Sequence, residues 1–64
     1  MCASNVYVLR GKEGELLMKD VAEIKVEGET LRLVGLLGEE KEVRGRLVRL
    51  DLEGHAIYVE VEQE

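Results

Sequence analysis

The sequence predicts an all-β fold, a small curled sheet or barrel of five to seven short antiparallel strands. Apolar and charged residues alternate with a period of two in several segments, which is the spacing of half-buried strands. Five of the seven glycines separate these segments, and glycine adopts the backbone conformations of tight turns most readily. The chain contains no proline, so every backbone amide can take part in strand pairing.

Five or six strands are expected along the chain, with turns at the glycines. They cover residues 2–9, 15–18, 21–27, 30–37, 42–52 and 56–62. Gly45 lies inside the fifth of these segments and predicts a bulge or a sharp bend that lets a small sheet curl. One segment has an alternative, because Leu17, Val21 and Ile24 also recur at helical spacing and are compatible with a short helix.

Three segments show the alternation most clearly. In each of them one set of alternate residues is apolar, which predicts a buried face opposite a solvent-exposed face. The predicted buried faces are Ala22, Ile24 and Val26, then Val48, Leu50 and Leu52, and finally Ile57, Val59 and Val61. Gly54 lies between the last two segments, so these segments are expected to form a hairpin.

The length allows a single domain, residues 1–64, with a small core. A chain of this size buries only about 60% of the surface that its unfolded form exposes, and it commonly needs a disulfide, a metal or a second subunit. Cys2 is the single cysteine, so an internal disulfide is excluded. Metal binding and self-association remain as the possible sources of additional stability. Exposed strand edges favour pairing with a second copy. A homodimer is therefore expected.

An excess of acidic residues narrows the range of partners. Fourteen Asp and Glu residues against nine Lys and Arg residues give a formal net charge of −5, whereas nucleic-acid-binding proteins normally present a basic face. The one cationic cluster is diluted by glutamates and has no interleaved aromatic residue. It consists of Lys41, Arg44, Arg46 and Arg49. A solvated face explains it, and no nucleic-acid partner is expected.

The distribution of apolar residues also predicts the cellular compartment of the protein. No segment approaches the roughly 20 apolar residues of a membrane span. The first twenty residues lack the apolar run of a secretory signal, because charged residues interrupt them. We therefore expect no membrane partner and a cytoplasmic location, where Cys2 stays reduced.

Catalytic motifs are missing from the sequence. There is no glycine-rich phosphate loop, no Cys-x-x-Cys and no His-Glu-x-x-His. Ser4 is the only serine and His55 the only histidine, so the sequence offers very few residues that could form a hydrolytic triad. Most glutamates occupy outward strand positions or turns, where a solvated surface explains them. We expect a protein that is not an enzyme.

Cys2 is the residue with the clearest chemical potential, because it lies beside the amino terminus. Removal of Met1 would leave Cys2 with both an α-amine and a thiol, whose ordinary pKa values of about 8 and about 8.5 allow a metal to displace their protons. If Met1 is retained, its amine, the Cys2 amide and the Cys2 thiolate still offer two nitrogens and a sulfur. Two copies related by a twofold axis would complete a four-donor set suited to square-planar Ni(II) or Cu(II). A small buried hydrophobe is the alternative interpretation.

His55 follows Gly54 in the expected hairpin turn. An exposed turn residue is one interpretation. The other is a metal ligand, because two Cys2 thiolates and two His55 imidazoles would form a tetrahedral zinc site if the hairpin reached the amino terminus. The only aromatic residues, Tyr7 and Tyr58, are expected to pack at a rim or across a dimer.

Several segments of the chain resemble the CooT family of small nickel-binding proteins. The resemblance covers nearly the whole length of the chain, and only the Met-Cys start is tied to chemistry. It consists of Met1 to Ser4, the strand from Asn5 to Leu9, Asp20-Val21, the run from Leu36 to Glu40, and the closing strands 48–52 and 57–59.

The resemblance implies a homodimer of small β-rich subunits that binds Ni(II) through Cys2. It also implies a chaperone that delivers nickel to carbon monoxide dehydrogenase or another nickel enzyme. It gives His55 no role. Relatives are sometimes described as RNA-binding, so an RNA-binding small barrel and an interaction module without metal remain the alternatives.

Overall fold

The computed structural model describes residues 3–10 and 13–62, and all regular structure within these ranges is β. The strands are β1 (Ser4–Arg10), β2 (Glu13–Glu27), β3 (Thr30–Gly35), β4 (Glu40–Asp51) and β5 (Ala56–Val61). The predicted all-β fold is confirmed, and five strands lie at the lower end of the expected range. The expected homodimer stays a prediction.

The five strands form one closed barrel in chain order. Consecutive strands pair antiparallel along the whole series. β1 and β5 then close the barrel as parallel neighbours, with Val6 beside Ile57 and Val8 beside Val59. Because these two strands run in the same direction, the starts of β1 and β5 lie side by side at one end of the barrel.

β2 is a single strand of fifteen residues. Both sequence-based expectations for this region, two short strands or a helix over residues 17–24, are therefore wrong. Asp20 has a positive φ of 54° within the strand, a conformation that Asp adopts more easily than most residues. Val21 pairs with Ser4 of β1 and also with Gly35 of β3. The strand thus passes from one partner to the next through a bend, without a turn.

The predicted buried face of β2 is only partly correct. The pairing register with β3 shifts between Val21 and Glu23, and one extra residue reverses which side chains point inward. Val21 is consequently buried and Ala22, predicted to be buried, is exposed, while Ile24 packs against the core as predicted. Val26 lies near the end of the strand and is exposed.

The predicted buried face of β4 is also wrong, and a register shift explains one of its three residues. The register with β5 shifts between Leu47 and Arg49, so Val48 is the extra residue and is exposed. Leu50 is exposed although it pairs with Ile57, and Leu52 lies in the turn after the strand, 79% exposed.

Gly45 lies two residues before this shift, at the point where β4 changes partners. Arg44 is the last residue of β4 that pairs with β3, and from Gly45 onward the strand pairs with β5. A Cβ atom at Gly45 would collide with the backbone carbonyl oxygen of Glu60. The glycine therefore permits a close backbone approach, and the predicted bulge itself falls slightly further along the strand.

The core is a small apolar cluster inside the barrel. Its buried members are Val6, Val8, Val21, Leu31, Leu33 and Val59. The alternation predicted for β5 is confirmed by Val59, which is fully buried, and by Ile57 and Val61, which pack against the cluster. The barrel is too narrow for a large core, so several apolar side chains remain at its surface.

The described residues contain no helix that is long and apolar enough to cross a membrane.

Candidate functional site

Hydrogen bonds gather several segments of the chain at the end of the barrel where β1 begins. The Asn5 N–H donates to the His55 carbonyl oxygen at 3.0 Å. The Asn5 side-chain oxygen accepts from the Asp20 N–H at 3.1 Å, and the Asp20 carbonyl accepts from the Leu36 N–H at 2.9 Å. We call this end the N-terminal rim, which consists of Ser4, Asn5, Asp20, residues 36–38 and residues 52–55.

Two tight turns on the rim follow from local sequence. The Asp51 carboxylate accepts the Gly54 N–H at 3.0 Å, which is the contact by which Asp stabilises a turn. His55 then takes a positive φ of 55°, a region in which histidine is enriched among non-glycine residues. In the other turn, Gly38 has a φ of 92° and donates its N–H to the Gly35 carbonyl at 3.1 Å.

Cys2 lies outside the described residues, two positions before Ser4. The amine, amide and thiolate donors predicted for Met1 and Cys2 also lie outside the described ranges. The structure gives no contact or distance for them.

His55 lies on the N-terminal rim beside Asn5. The zinc interpretation requires the last hairpin to reach the amino terminus, and the Asn5–His55 hydrogen bond brings the backbone of this hairpin to the start of β1. The His55 side chain is exposed, and within the described part of the chain it forms no hydrogen bond. Both predicted interpretations, an exposed turn residue and a metal ligand, are compatible with this position.

Ser4 and His55 share the rim, but no hydrogen bond between them occurs in residues 3–10 and 13–62. The same residues contain no group of three or more His, Cys, Asp or Glu side chains that could hold a metal ion. Cys2 was not among the residues searched.

The cationic cluster on β4 is largely neutralised within the chain. Arg44 pairs with Glu29 at 3.5 Å and with Glu62 at 3.6 Å. Arg46 pairs with Glu60 at 3.1 Å. These pairs leave few free positive charges for a phosphate backbone, which supports the interpretation of this cluster as a solvated face.

Tyr7 and Tyr58 pack against each other within one chain. Their rings lie on neighbouring strands, with centroids 5.5 Å apart and planes inclined by 24°. The Arg49 guanidinium lies over the Tyr58 ring, 5.5 Å from its centroid. This geometry is typical of stabilising aromatic and cation–π contacts and explains both tyrosines without a ligand.

Two of the clefts on the described surface help to locate a candidate site. The larger, of about 420 Å³, lies far from the N-terminal rim, and its walls include Glu29, Glu60 and Glu62. These carboxylates are already paired with arginines. The smaller, of about 230 Å³, lies between β2 and β4 and includes Ser4 of the rim. We call it the β2–β4 groove.

Asn5 and Asp20 are rim positions to which sequence reasoning gave no structural role. The sequence pointed to them only through the family resemblance, and Asp20 was placed between two expected strands. Their role is to fix the start of β1, because the Asn5 side chain joins β1 to the β2 bend. An Asp inside an alternating segment was the available signal, since Asp is disfavoured in strands and tolerates positive φ.

Known proteins match this chain along nearly its whole length. An uncharacterised protein of Methanothermobacter thermautotrophicus is 44% identical over 62 residues, which cover 97% of this chain and 92% of the relative. The uncharacterised protein MJ1551 of Methanocaldococcus jannaschii is 33% identical over 60 residues, 94% of this chain and 98% of the relative.

A crystal structure assigned to CooT from Carboxydothermus hydrogenoformans superimposes with a TM-score of 0.88 at 27% identity, covering 97% of this chain and 100% of that one. The family of the CO dehydrogenase accessory protein CooT matches residues 1–60, a range that includes the Met1-Cys2 start and the whole rim. The chain therefore belongs to the CooT family of CO dehydrogenase accessory proteins.

Proposed function

We propose that this protein binds Ni(II) through Cys2 and delivers it to carbon monoxide dehydrogenase or another nickel enzyme. Nickel is cargo in this proposal, and the protein itself is a cytoplasmic accessory factor without catalytic activity. The observation that carries the proposal is the family match over residues 1–60, which includes the Met1-Cys2 start. The lack of a catalytic motif in the sequence is consistent with it.

The chemistry of the first two residues suits nickel. An amine or amide nitrogen and the thiolate of the same cysteine close a five-membered chelate ring around a metal. Mixed nitrogen and sulfur donors favour Ni(II) or Cu(II), which they bind in square-planar geometry. Mg²⁺ and Ca²⁺ prefer oxygen donors. Each donor loses a proton on binding, so nickel affinity should fall as the pH is lowered.

One chain supplies too few donors for a complete coordination shell. A homodimer with its twofold axis near the N-terminal rim would bring two Cys2 residues to one nickel ion. The position of Ser4 and Asn5 supports this arrangement, because both lie at the surface end of β1 within a few residues of Cys2. The expected stoichiometry is one Ni(II) per two chains.

A site at a chain terminus suits a carrier. The metal ion would be held by the start of the chain, and local opening there costs less free energy than opening the barrel. Release to a client enzyme then needs only ligand exchange at the rim. The buried core inside the barrel is not disturbed by that step.

Zinc held by Cys2 and His55 is the second candidate. The observation that favours it is the Asn5–His55 hydrogen bond, which brings the β4–β5 turn beside the start of β1. Two thiolates and two imidazoles would give tetrahedral coordination. An RNA-binding barrel is disfavoured by the ion pairs of Arg44 and Arg46, and an interaction module without metal predicts that Cys2 is dispensable.

The test is a titration of tag-free protein with Ni(II), followed by calorimetry and by the thiolate-to-nickel charge-transfer absorption. Wild type should bind one ion per two chains and show the band, and Cys2→Ser should lose both. His55→Gln is the matched control, which keeps nickel binding under this proposal and loses zinc binding under the second candidate. Nickel binding by Cys2→Ser that equals the wild type would refute the proposal.

A further inference from the structure

One row of outward-facing side chains crosses four neighbouring strands of the barrel. The row consists of Leu16 on β2, Tyr7 on β1, Tyr58 on β5 and Arg49 on β4. Each member pairs directly with the next, and directly paired residues lie on the same face of a sheet. We call this row, together with Leu9 and Gly14 beside it, the tyrosine face.

The tyrosine face lies on the outside of the barrel, on the opposite side of β5 from the β2–β4 groove. Ile57 lines that groove and packs against the core, and Tyr58 follows it in the strand. Successive strand residues point to opposite faces, so the Tyr58 ring lies on the outer surface. Val6 and Val8 are buried on either side of Tyr7 and place its ring on the same surface. A partner on the tyrosine face therefore leaves the groove accessible.

Arg49 differs from the other arginines whose side chains the structure describes. Arg32, Arg44 and Arg46 each lie within 3.6 Å of a glutamate oxygen. The exposed Arg49 guanidinium lies over the Tyr58 ring and makes no ion pair within residues 3–10 and 13–62. A guanidinium carries five N–H donors in a planar fork that matches a carboxylate. The ring contact holds this fork in place, and its donors remain available to a carboxylate from another molecule.

Gly14 leaves a recess beside the two tyrosine rings. A Cβ atom at this position would lie 3.7 Å from Tyr58 Cε1, 3.8 Å from Tyr7 Cβ and 3.9 Å from Leu9 Cδ2, all ordinary contact distances. The φ angle of Gly14 is not positive, so its backbone does not require glycine. Glycine is depleted in strands, and it often marks a place where a ligand or another backbone approaches closely. Such an approach would explain a glycine that neither a turn nor crowding requires.

The composition of the tyrosine face is typical of a protein–protein interface. The contact between the two rings explains their mutual position, but Leu16 beside Tyr7 is still 49% exposed. Both tyrosines and Leu9 are only half-buried. Tyrosine and arginine are enriched among the residues that contribute most to protein–protein binding. The face therefore combines contiguous apolar surface with an unpaired cation.

We infer that the tyrosine face is the surface on which the nickel-accepting enzyme docks. The docking segment of that enzyme places an apolar side chain in the Gly14 recess and a carboxylate against Arg49. The inference deepens the proposed function and rests on it for the identity of the partner. Charge complementarity supports this occupant, because a carboxylate and a guanidinium form short, strong hydrogen bonds and no carboxylate of the described chain pairs with Arg49.

Nucleic acid and a second copy of the chain fit the tyrosine face less well. A single unpaired arginine on a chain of net charge −5 offers too few phosphate contacts for a nucleic acid. A twofold dimer needs one isologous contact, and the proposed nickel site already requires that contact near the N-terminal rim.

The tyrosine face adjoins the N-terminal rim. Asn5 precedes Tyr7 by two residues, and it pairs with Ala56, which precedes Tyr58 by two residues. An enzyme docked on the tyrosine face therefore lies beside the end of the barrel at which β1 begins. β1 is the strand that follows Cys2 in the sequence.

The test measures binding of the protein to purified CO dehydrogenase that lacks nickel, by surface plasmon resonance. Arg49→Glu reverses the charge offered to the enzyme, and Gly14→Val fills the recess. Lys25→Glu is the matched charge control, because Lys25 is exposed and pairs with Arg32 on β3, away from the tyrosine face. Gly14→Val keeps the test valid if Arg49→Glu fails to fold, since its Cβ has room and valine favours strands.

Wild type and Lys25→Glu should bind the enzyme equally. Arg49→Glu and Gly14→Val should each bind at least about tenfold more weakly, as expected for central contacts of an interface. Gly14→Val should keep or raise the unfolding temperature, which a merely structural defect would lower. Face variants that bind like the wild type, or a wild type that does not bind, would overturn the inference. A lower solution mass of Gly14→Val would also overturn it, because the face would then join two copies. Single-stranded RNA binding that Arg49→Glu abolishes while enzyme binding stays unchanged would overturn it as well.

A nickel titration of the same samples separates this inference from the proposed function. Both face variants should bind nickel as the wild type does, and Cys2→Ser should dock on the enzyme without nickel. A wild type that docks through the face but binds no nickel overturns the proposed function alone. A wild type that binds nickel but does not dock overturns the inference alone.

Discussion

The two ends of the barrel are stabilised by different interactions. At the far end, near the β2–β3 turn, Arg44 and Arg46 pair with glutamates from the neighbouring segments. At the N-terminal rim, main-chain hydrogen bonds and one Asn side chain join the segments, and no ion pair is formed by its described residues. The rim also carries Leu37, which is 92% exposed, and Leu52.

The difference shows which end is available for partners. Charged groups at the far end satisfy each other within one chain, so that end has little to offer a ligand. The rim and the adjoining β2–β4 groove leave apolar side chains uncovered in the single chain. The family segments Asp20-Val21 and Leu36 to Glu40 meet at this same end, beside the start of β1.

The largest effect is expected at the far end, from a substitution that acts on the backbone. Gly45→Ala should destabilise the fold by about 3 kcal/mol, because the added Cβ collides with the Glu60 carbonyl oxygen, a backbone atom that cannot move freely. Urea denaturation measures the loss. Gly28→Ala is the control, since nothing lies near its Cβ and only its φ of 60° opposes the change, at a cost of about 1 kcal/mol. Equal losses would contradict this description of the β4 crossing.

A smaller effect is expected at the rim, with a consequence for nickel. Asn5→Ala removes the acceptor of the Asp20 N–H and should cost about 1 kcal/mol in unfolding free energy. Nickel affinity should also fall, because the start of β1 is less firmly positioned. Asn5→Asp keeps an acceptor oxygen and should restore both properties. A loss of stability with unchanged nickel affinity would show that the rim does not position the site.

The smallest effect is expected from the charged pairs of the far end. Glu60→Gln removes the negative charge that faces Arg46, but both side chains are largely exposed. Such a pair contributes at most about 1 kcal/mol, and added salt screens it further. At low salt, thermal unfolding should show a small loss of stability in Glu60→Gln relative to wild type. At high salt, the two proteins should unfold at nearly the same temperature. A large, salt-independent loss would mean that this pair stabilises the barrel by more than its charges.

The sequence was sufficient to predict the fold class but not the pairing registers between neighbouring strands. Alternation and glycine spacing predicted the strands because each requires only local information. The extra residues at Val48 and near Ala22 arise from how neighbouring strands meet, and a shift of one residue reverses every following side chain. For this reason Ala22 and Val48 were predicted to be buried and are exposed.

The sequence provides a hypothesis for the chemistry of the candidate site and none for its surroundings. Cys2 follows from its position in the chain and from the family resemblance. The proximity of the His55 turn to β1 depends on the parallel closure between β1 and β5, which pairs residues some fifty positions apart. No local pattern encodes such a closure.

The central claim is that two chains share one nickel ion through their Cys2 residues. Native mass spectrometry of wild-type and Cys2→Ser chains, mixed and allowed to exchange, tests it directly. We expect one Ni(II) on the wild-type dimer, none on the Cys2→Ser dimer, and only weak binding on the mixed dimer. A mixed dimer that retains nickel as firmly as the wild type would contradict the claim, because a single Cys2 would then be enough.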